Sequence, residues 1–189
     1  LVNANDITLI GNGATLIMNK KEYLDGEWRH ALNIRQCKNI TIKGFVIRDS
    51  GGDGIYIAGN GEDTFSENIY IENVKSVNNK RQGISIISAQ NVFVKNCEFT
   101  ETKGTLPEAG LDIEPNHSKD RIININFENC SFTNNNHSGI VLSLGNLKSN
   151  SLPVSISFKD CYLSSNHVAS NEYAPAEINI SANKENPVK

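Results

Sequence analysis

Charge of one sign, long apolar runs and metal-ligand spacing are all missing from this chain. Its 18 basic and 21 acidic side chains leave a net charge of only −3 over 189 residues. The basic stripe expected of a general nucleic-acid binder is therefore absent. No stretch approaches the roughly eighteen apolar residues of a membrane span, and no charged start followed by an apolar core marks a signal peptide. Neither the four cysteines nor the four histidines show zinc spacing. No amphipathic helix of useful length can be drawn.

What the chain does have is an internal repeat. Val94-Lys95-Asn96-Cys97-Glu98-Phe99-Thr100, Phe127-Glu128-Asn129-Cys130-Ser131-Phe132-Thr133 and Phe158-Lys159-Asp160-Cys161-Tyr162-Leu163-Ser164 superpose residue for residue. Upstream, Ile42–Ile47 and Ile71–Ser76 fall into the same columns. Phe45, Val74, Cys97, Cys130 and Cys161 then share one position, and Ile47, Ser76, Phe99, Phe132 and Leu163 another. A third register sets a small residue before an apolar, any, apolar triplet at Ala31, Gly54, Gly83, Gly110 and Gly139, the glycines being 29, 27 and 29 residues apart.

Within each unit apolar residues alternate, as in Ile40-Thr41-Ile42 and Val92-Phe93-Val94, which is the period of a strand with one buried face. Between the strands lie Asn, Gly, Ser and Asp, which accept left-handed backbone at tight bends. Short strands that return every 23 to 33 residues predict an all-β fold, a single-stranded parallel β-helix of about six rungs, whose rungs share one elongated core. At about 4.8 Å per rung the body would be roughly 29 Å long. Asn73, Asn96 and Asn129, with Gly44 and Asp160 as variants, should form a turn ladder with side-chain amides bonded from rung to rung. Cys97, Cys130 and Cys161 are expected as a stack of small buried thiols. Residues 1–189 are expected to form one domain, a fragment or excised piece of a longer chain with a terminal cap missing or supplied by another segment, because an open rung exposes unpaired backbone.

With these repeats the chain resembles the right-handed parallel β-helix proteins of the pectate-lyase-like superfamily over roughly Ile7 to Ile180. That resemblance implies a polysaccharide as the partner. It does not select a reaction, since lyases, glycoside hydrolases, esterases, uronan epimerases and phage tailspikes share the scaffold.

Departures from the repeat mark the candidate site. Residues two and four places after each small residue should face outward: Asn33 and Arg35, Tyr56 and Ala58, Ser85 and Ile87, Asp112 and Glu114, Val141 and Ser143. One rung alone places two acids there. Just before the glycine register come Trp28, Arg29 and His30, then Asp53, Arg81 and Gln82, Glu108 and His137, at the edge of the same face. Asp112 and Glu114, two apart on a strand, should hold their carboxyls roughly 6 to 7 Å apart, near the low end of the roughly 6.5–9.5 Å used for inverting glycoside hydrolysis. Crowding two acids also drives their proton affinities apart. These two are the candidate catalytic pair with Arg81 beside them. Asp53, Tyr56, His30, Arg29, Trp28, Glu108 and His137 are the candidate substrate-binding residues.

The resemblance also implies an alternative, β-elimination from a uronic acid. It needs a cation on the sugar carboxylate and a base at C5. Arg81 suits a carboxylate clamp better than a base. No cofactor is required by the sequence and no metal site is assigned, although Asp53, Asp112 and Glu114 offer the oxygen ligands that Ca²⁺ prefers. Asp112-Ile113-Glu114-Pro115-Asn116 is loosely similar to the Asp-Pro-His signature of alginate epimerases, with Glu114 and Asn116 replacing the Asp and His.

Two functional readings stand. One is a secreted or extracellular carbohydrate-active enzyme, hydrolase or lyase, that cleaves a polysaccharide in an outer groove. The other is a non-catalytic glycan-binding β-helix of a surface adhesin or virion-associated tailspike. A tailspike would trimerise through long apolar outer strips, and the outward columns here are mostly polar.

Overall fold

A computed structural model describes residues 1–167, 176–185 and 187–189 of the chain. Eighteen strands form three six-stranded parallel sheets, and the chain visits the sheets in turn, one strand of each per rung, for six rungs. The first sheet stacks Asn5–Ile10, Lys38–Lys43, Ser66–Glu72, Ala89–Lys95, Ile122–Glu128 and Ile156–Lys159. The second stacks Thr15–Ile17, Val46–Arg48, Lys75–Val77, Glu98–Thr100, Ser131–Thr133 and Tyr162–Ser164. The third stacks Leu32–Arg35, Ile55–Ala58, Gln82–Ile86, Ala109–Ile113, Ser138–Leu144 and Ala176–Ala182. The parallel β-helix expected from the repeat is therefore the fold.

Register follows the sequence columns. Ile47, Ser76, Phe99, Phe132 and Leu163 pair rung to rung, as do Leu32, Ile55, Ile84, Leu111 and Ile140. The inward members of all three sheets meet in one core of Ile, Val, Leu and Phe. Each fully buried side chain of this kind contributes about 1.5–3 kcal/mol. Phe99 stacks on Phe132 at 5.3 Å, and Phe127 on Phe158 at 5.3 Å, so the aromatic columns repeat along the axis as the strands do.

The bends are held by polar ladders. Asn73, Asn96, Asn129 and Asp160 all take positive φ, between 51° and 55°, and Asn129 Nδ2 donates to Asn96 Oδ1 at 2.7 Å. A second ladder, which the repeat alignment did not single out, runs through Asp6, Asn39, Asn68, Asn91 and Asn124, with each amide donating to the rung before it at 2.7–3.0 Å. Cys37, Cys97, Cys130 and Cys161 are free thiols, the first three buried, which agrees with a thiol stack rather than inter-rung disulfides.

The connection between the second and third sheets is short in rungs two and three but long in rung one, where residues 18–31 leave the stack and fold across the neighbouring rungs. Lys20 Nζ in this excursion donates to the carbonyls of Asn78 and Asn79 at 3.0 and 3.2 Å. In return Lys80 Nζ donates to Tyr23 O at 2.7 Å. These contacts fix a loop that sequence alone left unplaced. Among the described residues no helix is long and apolar enough to cross a membrane. The one helical segment is the 3-10 turn Lys20–Glu22 within that excursion.

Candidate functional site

The outer face of the third sheet carries the site. Its central column reads Asn33, Tyr56, Ser85, Asp112, Val141 and Asn179 in register, so strand alternation places Asp112 opposite the core-facing Leu111 and Ile113. Asp112 is nevertheless fully buried. Side chains from the preceding rung lie over it: Gln82 Nε2 donates to its Oδ2 at 3.1 Å while Gln82 Oε1 accepts the Ala109 N–H at 2.9 Å. Alternation in the sequence had this carboxylate facing outward. The direction was right, but neighbouring rungs supply the cover.

Arg81 is the centre of the arrangement. Its Nη2 lies 3.2 Å from Glu114 Oε2 and its Nε 3.2 Å from Glu27 Oε2. Its Nη1 lies 3.8 Å from Asp53 Oδ1 and 4.0 Å from Asp112 Oδ2. Two of these acids are buried, with side chains 0% and 1% exposed, while Glu114 and Glu27 reach solvent at 40% and 47%. Burial works against the guanidinium charge, yet Asp53, Asp112, Glu114 and Glu27 together outweigh it and raise the Arg81 pKa. Arg81 is thus a fixed cation and not a base.

Asp112 responds in the opposite sense. Burial first, and then the negative charge of Glu114, push its carboxyl well above the ordinary range, and the attraction of Arg81 only partly opposes them. Both carboxyls face the same guanidinium, Glu114 at 3.2 Å and Asp112 at 4.0 Å. The Ca²⁺ site that Asp53, Asp112 and Glu114 could have formed is occupied by Arg81 itself. Among the described residues no group of three or more His, Cys, Asp or Glu side chains is arranged to hold a metal ion.

Around this cluster lies a small hollow of about 140 Å³ lined by Glu27, Trp28, His30, Tyr56, Arg81, Ile87, Glu114 and Asn116. A second hollow of about 150 Å³ adjoins it through the shared residues Tyr56, Ile87 and Asn116, and extends to Arg35, His117 and Asp120. Together they make a groove along the strand direction, with Tyr56 between its halves. His30 Nδ1 accepts the Asp53 N–H at 3.2 Å, and its ring stacks on Tyr56. Burial, ahead of the opposing effect of Arg35, raises the Tyr56 phenol pKa. Trp28 is 76% exposed at the groove edge.

Beneath the groove several buried polar atoms have no hydrogen-bond partner, Asp112 Oδ1, Ser85 Oγ, Asn33 Oδ1 and His30 Nε2, while the carboxylate oxygens of Asp53 make no hydrogen bond but lie 3.2 Å from His30 Nδ1 and 3.8 Å from Arg81 Nη1. Unpaired buried groups are costly, and a cluster of them on one face requires a reason beyond packing.

Three expected site residues are not brought in. Arg29 turns away, donating to Asp25 O and lying over the Tyr23 ring at 5.2 Å. Glu108 is buried and ties down its own loop, accepting from the Gly104 N–H at 2.6 Å and from Asn136 Nδ2 at 3.3 Å. His137 is buried beside Ser138, with Nδ1 and Oγ 2.9 Å apart, outside both hollows. Conversely, Glu27, Gln82, Ile87 and Asn116 belong to the site. Gln82 was visible at the edge of the face, but Glu27 could be found only by knowing where the 18–31 excursion lands.

The chain aligns with the Bacillus subtilis (strain 168) SPbeta prophage-derived uncharacterized protein YorA at 23% identity over 171 residues, covering 84% of this chain and 27% of that protein. The crystal structure of pectate lyase Pel9A superposes with a TM-score of 0.54 at 14% sequence identity, over 82% of this chain and 34% of that one. The chain thus spans about a third or less of either relative. The family model described as a right handed beta helix region matches residues 5–184, and the chain belongs to that right-handed β-helix family.

Proposed function

We propose that this chain binds a polysaccharide in the groove between Trp28 and Asn116 and hydrolyses a glycosidic bond there. The observation that supports this reading is the cluster of four carboxyls around Arg81, laid under a groove with an aromatic edge and backed by unpaired buried polar atoms. Glu114 is the half-exposed acid that reaches the sugar. Asp112, whose carboxyl burial and Glu114 push toward the protonated form, is the proton reserve beneath it. Arg81 orients Glu114 through Nη2. Even without Asp112, the carboxylates of Asp53, Glu114 and Glu27 outnumber the one guanidinium and leave the groove negative, which opposes a uronate carboxylate and favours a neutral sugar, and hence hydrolysis over elimination.

The second reading is a non-catalytic glycan-binding surface. It is favoured by one specific observation, that Asp112 is fully buried, whereas both carboxyls of a glycosidase pair must flank the sugar bond. Incubation with neutral and uronic polysaccharides separates the readings. New reducing ends without absorbance near about 235 nm, lost in Glu114→Gln, support hydrolysis; rising absorbance means elimination; binding without either product means a glycan-binding surface.

A further inference from the structure

A second cleft lies on the far side of the 18–31 excursion. Its volume is about 770 Å³, and its lining includes Lys20, Lys21, Arg48, Lys80 and Lys103 against the single acid Asp49. The charge balance here is the reverse of that around Arg81. Four elements bring these cations together: the excursion supplies Lys20 and Lys21, the strand Val46–Arg48 supplies Arg48, the bend at rung three supplies Lys80, and the 101–108 loop supplies Lys103. The consecutive residues Lys80 and Arg81 send their side chains to different sites, so one bend serves both.

The cations differ in their freedom. Arg48 Nε is engaged with Asp49 Oδ2 at 2.8 Å. Lys20 is fixed by three acceptors, Asn78 O, Asn78 Oδ1 and Asn79 O, at 3.0–3.2 Å. Lys21 and Lys103 are exposed, and among the described residues neither has an ion-pair partner. Burial first, and then the charge of Lys103, pull the Lys20 ammonium down to about 8, against the opposing pull of Asp49 and Glu108. Crowded like charges of this kind are relieved by an incoming anion.

We infer that this cleft binds an acidic glycan segment, its oxyanions held by Lys21 and Lys103 and its sugar faces lying on Ile17 and Met18. The Lys80 ammonium is already engaged by the carbonyls of Tyr23 and Leu24. Lysine ammoniums act as point charges that take single oxyanions spaced along a chain. No aromatic ring lines the cleft, so the stacking platform on which single-stranded nucleic acid depends is absent. This site is additional to the Arg81 groove and does not rest on hydrolysis occurring there.

The test is calorimetric titration of the whole chain with a galacturonate hexamer, a sulfated glycan hexamer and the fully methyl-esterified galacturonate hexamer. At least one acidic hexamer is expected to bind and the ester is not. The double variant Lys21→Glu/Lys103→Glu should weaken that binding at least tenfold with an unchanged melting temperature. Arg81→Gln should leave the same affinity unaltered, so that failure of the groove reading and failure of this one are told apart. Equal binding of the ester, undiminished binding by the double variant, loss of binding in Arg81→Gln alone, or tighter binding of a thymidine hexamer would each overturn the inference.

Discussion

The imidazole of His30 lies flat on the phenol of Tyr56, with ring centroids 4.3 Å apart and planes inclined by 9°. The two residues come from successive rungs, and His30 is also tied to the Asp53 backbone. Tyr56 is thereby held at the junction of the two hollows. Replacing it with Ala should weaken polysaccharide binding about three- to tenfold, as expected from an aromatic contact of about 1 kcal/mol, while Tyr56→Phe should retain most of the affinity. Affinity electrophoresis in polysaccharide-containing gels checks this, and equal mobility of wild type and Tyr56→Ala would remove Tyr56 from the site.

Asp112 makes stability depend on pH in an unusual direction. Its folded pKa is raised, so above the unfolded value of about 3.9 the folded chain holds a proton that the unfolded chain has released. The folded state then binds more protons, and stability contributed by this group falls as pH rises from about 4 through the folded pKa. Asp112→Asn removes the titration. Melting curves from pH 4 to 8 should show the variant losing less stability with rising pH than the wild type. Parallel curves would mean that Asp112 titrates alike in both states.

The inner glycines of the column leave no room for a side chain. A Cβ on Gly83 would come within 2.5 Å of Gly110 O and 3.0 Å of Phe99 Cβ, and one on Gly110 within 2.8 Å of Gly139 O. Rung spacing is set by the hydrogen bonds above and below, so the backbone cannot yield locally. Gly83→Ala should cost about 1–3 kcal/mol, measured by urea unfolding. An unchanged midpoint would show that the rungs can move apart.

At the Asn ladder the cost should divide into two parts. Asn129 sits at φ 51° and donates to Asn96. Asn129→Ala should lose about 1–2 kcal/mol from the left-handed backbone together with the ladder bond. Asn129→Gly should recover the backbone part, because glycine adopts positive φ freely. Urea midpoints for the pair measure the split, and identical losses would place the whole effect in the amide bond.

The fold was legible because its determinants are local and repeated. Alternation around Ile40-Thr41-Ile42, the Phe99–Phe132 column and the positive-φ asparagines each follow from a few residues, and repetition multiplies the signal. The site was legible only in part. Alternation set Tyr56, Asp112 and Glu114 on one face, but it could not show that Gln82 and Arg81 would cover Asp112, since that depends on how far side chains of one rung lean over the next. Glu27 and the lysine-lined cleft were hidden for a different reason. Both depend on the path of residues 18–31, which has no counterpart in the repeat. Arg29 and Glu108 were misread because proximity to the glycine register was taken for orientation, whereas local carbonyl and amide groups already claim both side chains.

The sulfur atoms of Cys97, Cys130 and Cys161 fill space between rungs without joining them. Shape in this molecule consequently owes nothing to covalent staples among those positions, and the same solenoid should persist whether its surroundings are thiol-rich or oxidising. A reductant added during purification should leave its circular dichroism untouched.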